Sequence, residues 1–193
     1  MKIGLYFGSF NPIHVGHLII AQHLAQHTDL EQVWLVVSPQ NPFKPKATLA
    51  NDYERLALAR AAVADNDLLR VSDIEFGLEK PSYTVDTLAH LQEKFPQHQF
   101  SLIMGGDNLA SFDKWKSYQT ILAEHHIFVY ARPGYDLGPL ATHPSITILT
   151  DVPQMEISAT HIRGLLKAGK SAKYLVPEAA LLEIEKSGLY RNM

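Results

Sequence analysis

Residues 2–17 read Lys2-Ile-Gly-Leu-Tyr-Phe-Gly-Ser-Phe-Asn-Pro-Ile-His-Val-Gly-His17. A strand-sized apolar run, 2–7, gives way at Gly8 to a turn stiffened by Pro12, and a helical pattern follows over 15–26. A strand that passes through a tight turn into a helix opens a βαβ unit. It predicts a parallel sheet with ligands at the strands' carboxyl ends. The alternation continues down the chain. Residues 33–37, 68–72, 100–104, 126–131 and 146–150 read as strands. Residues 52–64, 84–95 and a more weakly patterned 108–122 read as helices. Two further helices, 159–167 and 177–186, close the chain, the second with Pro177 in its first turn and Ser187-Gly188 at its end. The fold class is therefore α/β. The expectation is one Rossmann-like parallel-sheet domain over 1–193, with a helical C-terminal part from about residue 157.

Composition narrows the function. The 193 residues are 46% hydrophobic and 19% charged, ordinary values for a globular chain. At this length folding buries about 70% of the unfolded surface, enough for a core without staples. A formal net charge of −3, with no basic run, argues against a nucleic-acid partner. A small phosphorylated ligand needs only a few amides and one or two cations. The absence of cysteine excludes disulfides, iron–sulfur clusters and thiolate zinc sites. The first apolar stretch stops at Phe10, too short for a signal peptide. The longest apolar runs, 33–37 and 127–131, are strand-sized and predict no membrane span. The expected setting is cytoplasmic, with no membrane partner; oligomeric state is open, a homo-oligomer included.

Two stretches carry chemistry. In Gly8-Ser-Phe-Asn-Pro-Ile-His-Val-Gly-His17, Gly8 is expected to let the backbone approach a ligand. His14 and His17 bracket a helix start, beside free amides and the positive end of the dipole, which makes a polyphosphate site. In Ile157-Ser-Ala-Thr-His-Ile-Arg163, Ser158 reads as an N-cap, and Arg163, one and a half turns along, offers a guanidinium to the same phosphates. The Pro-rich segment 38–46, at a strand's carboxyl end, reads as a binding loop.

Other patterns are decoys. Gly164-Leu-Leu-Lys-Ala-Gly-Lys-Ser171 matches the P-loop letter for letter, but its first glycine falls inside a helical stretch rather than after a strand. Gly169 reads better as that helix's C-terminal cap. His23 and His27 have a zinc-binding spacing without a third ligand and are expected to face solvent. His125-His126 are assigned to a strand edge. No Gly-x-Gly-x-x-Gly follows the first strand, which weakens a dehydrogenase reading.

Taken together, the two chemical motifs resemble those of the nucleotidyltransferases that share a two-histidine turn with class I aminoacyl-tRNA synthetases. Within that class the chain resembles the nicotinate-mononucleotide adenylyltransferases. The likeness runs through Pro81-Ser-Tyr-Thr-Val-Asp-Thr-Leu88, Gly105-Gly-Asp-Asn-Leu109 with Trp115, Ala131-Arg-Pro-Gly-Tyr135, and Tyr174-Leu-Val-Pro177 through Gly188-Leu-Tyr190. The resemblance implies adenylyl transfer from ATP to nicotinate mononucleotide, with His14, His17 and Arg163 as catalytic residues. It implies ATP contacts at Gly8, Ser9, Phe10, His17, Gly105, Asp107, Ile157, Ser158 and Arg163. It implies mononucleotide contacts at Asn41, Lys44, Ser82, Tyr83, Thr84, Asp107, Trp115 and Arg132. Thr84 would offer its amide to the nicotinate carboxylate, and Trp115 would stack on the ring. Mg2+ is expected on the ATP phosphates, with no metal ligand from protein side chains. Two positions depart from the family pattern: Asn11, where Asp is frequent, and Ala159, where a second hydroxyl residue is common. Two rivals share the same turn: a sister transferase acting on phosphopantetheine or another mononucleotide, and a non-catalytic nucleotide sensor.

Overall fold

The apolar run after Met1 becomes β1 (Lys2–Gly8), and its neighbours in space are not its neighbours in sequence. The computed structural model describes residues 1–39, 49–131, 134 and 136–191. Six strands form one sheet in the order β3-β2-β1-β4-β5-β6, where β2 is Gln32–Val37, β3 Leu69–Ser72, β4 Gln99–Gly105, β5 Ile127–Tyr130 and β6 Ile146–Leu149. Every pairing is parallel, with Leu5 opposite both Trp34 and Leu102. The expected α/β parallel fold is therefore the observed one.

Alternation along the strands feeds two cores. Ile3, Leu5, Trp34, Val36, Leu102 and Met104 face one side, where they meet α3 (Thr84–Lys94) through Leu88 and Leu91. Val33, Leu35, Val37 and Ile103 face the other. There they meet α1 (Val15–His27), α2 (Asp52–Ala62), α6 (Ala159–Lys167) and α7 (Glu178–Ser187). Being covered on both faces is what makes such strands continuously apolar. The chain changes face between β1 and β4, which leaves a crevice outside their carboxyl ends. Among the described residues no helix is long and apolar enough to cross a membrane.

The expected helix over 108–122 is broken. It resolves into α4 (Gly106–Leu109), a 3-10 turn at Phe112–Lys114 and α5 (Tyr118–Glu124), with Trp115 extended and Ser117 left-handed at φ 51°. The apolar positions explain it. Leu109, Phe112, Trp115, Tyr118 and Ile121 recur every third residue, and a continuous α-helix would carry them round its surface by about 60° per step. Breaking the helix lets all five reach one core. Pro177 caps α7 rather than entering its first turn.

The C-terminal end of α6 dismisses the P-loop. Gly169 sits at φ +70°, its N–H donates to the Leu166 carbonyl (3.0 Å), and Lys170 N–H donates to the Leu165 carbonyl (2.9 Å). That pair of bonds is a Schellman cap, which consumes the glycine and lysine a P-loop would need.

Candidate active site

The loop from β1 to α1 is built around Phe10, which is buried at 2% exposure with a positive φ of 43°. A Cβ at Gly8 would lie 2.8 Å from the Phe10 ring. Gly8 is thus needed by the protein's own aromatic ring, which fills the space a Cβ would take. Phe10 can offer a ligand only its main chain.

His14 is the N-cap of α1 and is buried at 6% exposure. Its ring stacks on that of His17 with centroids 3.6 Å apart, and its N–H donates to His17 Nδ1 at 3.3 Å. The half-buried His17 ring also meets Phe10 edge-on at 5.0 Å. A Cβ at Gly16 would lie 3.1 Å from His14 Nδ1, so the glycine between the histidines leaves room for the first ring.

The amides expected to be free at this helix start are partly committed. Val15 N–H donates to the Leu175 carbonyl (2.9 Å), and His17 N–H to the His14 carbonyl (3.0 Å). An anion here would draw more on the side chains than on the helix end. One of those side chains arrives from far along the chain: Arg163 Nη1 donates to the Asn11 carbonyl at 2.8 Å across 152 residues. Ser158 accepts from His161 N–H (3.1 Å) and caps α6 as expected, with Ile157 half-buried before it. Asn11 is itself buried and accepts the Ala50 N–H through Oδ1 at 3.1 Å.

Across the crevice, Gly105 and Asp107 stand where β4 runs into α4. A side chain at Gly105 would collide with the Asp107 carboxylate and come within 3.1 Å of the Tyr130 hydroxyl. That space lets Tyr130 reach over β4 to Tyr6, hydroxyl to hydroxyl at 3.2 Å. Tyr83 caps α3 and Thr84 is its first residue. Lys116, beside Trp115, sits over the Tyr83 ring at 4.7 Å and pairs with Asp86 at 2.8 Å, which draws the Trp115 stretch to this helix start. Ser82 is buried rather than presented to solvent. Asn41, Lys44 and Arg132 lie outside the described residues.

The decoy histidines also find places. His23 and His27 stack on each other at 4.1 Å, and His23 Nε2 lies 3.6 Å from an Asp151 oxygen. His27 is exposed as expected, but His23, against the core side of α1, is not. Among the described residues no group of three or more His, Asp or Glu side chains converges as a metal site.

Three features were not anticipated from the letters. Arg55 and Glu75 are charged residues with 0% and 2% exposure. Burial pushes the Glu75 carboxyl above its ordinary range, against hydrogen bonds from Thr87, Ser38 and Ser82 that pull it down. Tyr190, near the C-terminus, is buried close enough to Arg55 and Arg163 to feel both; burial nonetheless drives its hydroxyl upward.

The family model described as "Cytidylyltransferase-like" matches residues 5–165. A protein of Flavobacterium psychrophilum named "Probable nicotinate-nucleotide adenylyltransferase" is 52% identical over 194 positions, spanning 100% of both chains. One of the same name from Cytophaga hutchinsonii is 53% identical over 192 positions, spanning 100% of this chain and 97% of the other. The structure of a Plasmodium falciparum nicotinic acid mononucleotide adenylyltransferase complexed with NaAD superimposes with a TM-score of 0.81. It covers 98% of this chain and 97% of its own at 20% identity, which is a likeness of fold. The chain belongs to the cytidylyltransferase-like family and, within it, to the nicotinate-nucleotide adenylyltransferases.

Proposed function

We propose that this chain transfers the adenylyl group of ATP to nicotinate mononucleotide, releasing pyrophosphate and forming nicotinate adenine dinucleotide, a step of NAD biosynthesis. The observation that carries the reading is the meeting of His14, His17 and Arg163 at one loop, beside the crevice between β1 and β4. Full-length relatives of that name support it.

The reaction suits such a site. A phosphate oxygen of the mononucleotide attacks the α-phosphorus of ATP, and the bond from that phosphorus to the pyrophosphate oxygen breaks in line. The attacking oxygen is already anionic, so no side-chain nucleophile is needed, and catalysis rests on positioning and charge stabilisation. His17, with Nδ1 occupied by the His14 N–H, donates to phosphate through Nε2. Arg163 neutralises the leaving pyrophosphate from the other side, with Ser158 and Ile157 beside it. Gly8, Ser9 and the Phe10 main chain line the phosphates, while Gly105 and Asp107 face the nucleosides.

Thr84 holds the nicotinate carboxylate. An amide at the start of α3 suits an anion, whereas a carboxamide would turn a donor toward it. Trp115 stacks on the ring, with Ser82 and Tyr83 shaping the pocket, Asn41 contacting the mononucleotide, and Lys44 and Arg132 serving its phosphate. ATP arrives as its magnesium complex, the ion carried on the phosphates. The enzyme works in the cytoplasm, with residues 1–193 as one unit.

Pyrophosphate release with MgATP and, in turn, nicotinate mononucleotide, nicotinamide mononucleotide and phosphopantetheine tests this. Fast release with the nicotinate compound alone is expected. Release with both pyridine nucleotides would undo the carboxylate assignment, and silence with all three from a protein that binds ATP would favour a sensor.

A further inference from the structure

Arg55, on the first turn of α2, is 0% exposed, and its carboxylate partner Asp52 is partly exposed and shared with Lys80. A guanidinium taken wholly out of water is costly unless every donor is met. Here all five N–H donors of the group have acceptors. Nε donates to the Ala50 carbonyl (3.1 Å), and Nη1 to the carbonyls of Ser9 and, at 3.0 Å, Ser38. Nη2 donates to the Pro39 carbonyl (3.5 Å) and to Asp52 Oδ1 (2.8 Å).

The acceptors say what the fork is for. Four are main-chain carbonyls. Ser9 belongs to the loop leaving β1, and Ser38 and Pro39 to the loop leaving β2. A single nitrogen holds one carbonyl from each. A main-chain bond already joins the two strand ends, from Ser38 N–H, one residue past β2, to the carbonyl of Gly8, the last residue of β1, 2.9 Å apart. Arg55 carries that tie one residue past the sheet, where the β1 loop turns toward Phe10 and the histidines.

Resting on the functional reading above, we propose that Arg55 is a positioning residue for adenylyl transfer. It fixes the phosphate loop of β1 against the loop leaving β2, so that acceptor phosphate and α-phosphorus meet in line. It touches neither substrate. A lysine keeps the charge but offers three donors from one point and cannot span the two loops. Small misplacements of reacting groups cost far more in rate than in affinity.

The test is R55K, assayed well below its melting midpoint. The expected result is a kcat at least tenfold below wild type, with the Kd of ATP alone and of nicotinate mononucleotide alone, by calorimetry, each within threefold of wild type. A folded R55K with kcat within twofold of wild type overturns the proposal. So does a fall in kcat matched by equal losses in both affinities, which marks a general structural role. If R55K does not fold, D52A decides, because it removes one acceptor and loosens the fork. A kcat at least threefold down with both Kd values kept supports the proposal, and an unchanged kcat overturns it. A wild type silent with every acceptor removes the functional reading itself, whereas an active wild type with an equally active R55K removes only this one.

Discussion

The backbone N–H of His14 donates to Nδ1 of His17 at 3.3 Å, while the two rings stack with centroids 3.6 Å apart. An Nδ1 that accepts a hydrogen bond carries no proton, so the neutral ring holds its proton on Nε2. The loop thus selects the tautomer that can donate to phosphate. His17→Ala is expected to lower kcat by about 10²–10³, the usual effect of removing one preorganised donor, with circular dichroism and melting temperature close to wild type. An unchanged rate of pyrophosphate release would remove His17 from the chemistry.

Gly8→Ala makes a different point. The added Cβ would stand 2.8 Å from a ring that is itself buried. Overpacking of that kind costs about 1–3 kcal/mol. A urea midpoint lowered accordingly, together with a fall in kcat as Phe10 pushes the loop aside, is the expected pair of results. A midpoint equal to wild type would mean that the ring has room to move.

Glu75 predicts a pH dependence. Burial holds its carboxyl above the ordinary value of 4.5, so the folded protein keeps a proton that the unfolded chain has released. The associated stability is complete below 4.5 and is lost as pH rises through the raised value. Glu75→Gln keeps an acceptor for the Thr87 hydroxyl, now 2.9 Å from Oε1, and has no proton to lose. As pH rises above 4.5, urea unfolding should shift in the variant's favour relative to wild type. A difference that stays flat as pH rises from 4.5 to neutrality would sink the raised carboxyl.

Trp115 packs edge-on against Phe112 at 5.2 Å and remains half-buried. Trp115→Ala is expected to raise KM for the mononucleotide about tenfold, the worth of one aromatic stack, and to leave KM for ATP within about twofold. A change confined to ATP would relocate the stacking site.

Much of this was legible, and the limits have physical causes. Strands such as Gln32–Val37 announce themselves because burial on both faces demands unbroken apolar side chains. The histidine turn is legible because glycine, proline and helix start are neighbours in sequence. The broken helix was missed because a threefold apolar spacing looks helical until its drift is summed. Ser158 could be named as a cap from its neighbours, but not the distance from Arg163 to Asn11. The committed amide of Val15 and the buried Arg55 were illegible for one shared reason. Both reach main-chain carbonyls of remote segments, Leu175 for Val15 and Ser9, Ser38 and Pro39 for Arg55, and every residue type carries that group. Arg55 near Asp52 and Glu54 looks like an ordinary exposed ion pair.

The bond between Arg163 and the Asn11 carbonyl spans 152 residues, and this orders events in time. During synthesis, at roughly 5–20 residues per second, both histidines leave the ribosome long before the guanidinium that joins them. The helix start between them waits longer still, because the Leu175 carbonyl that accepts the Val15 N–H is made after Arg163. A chain stalled before residue 163 has both histidines and lacks the guanidinium that the proposed phosphate site requires.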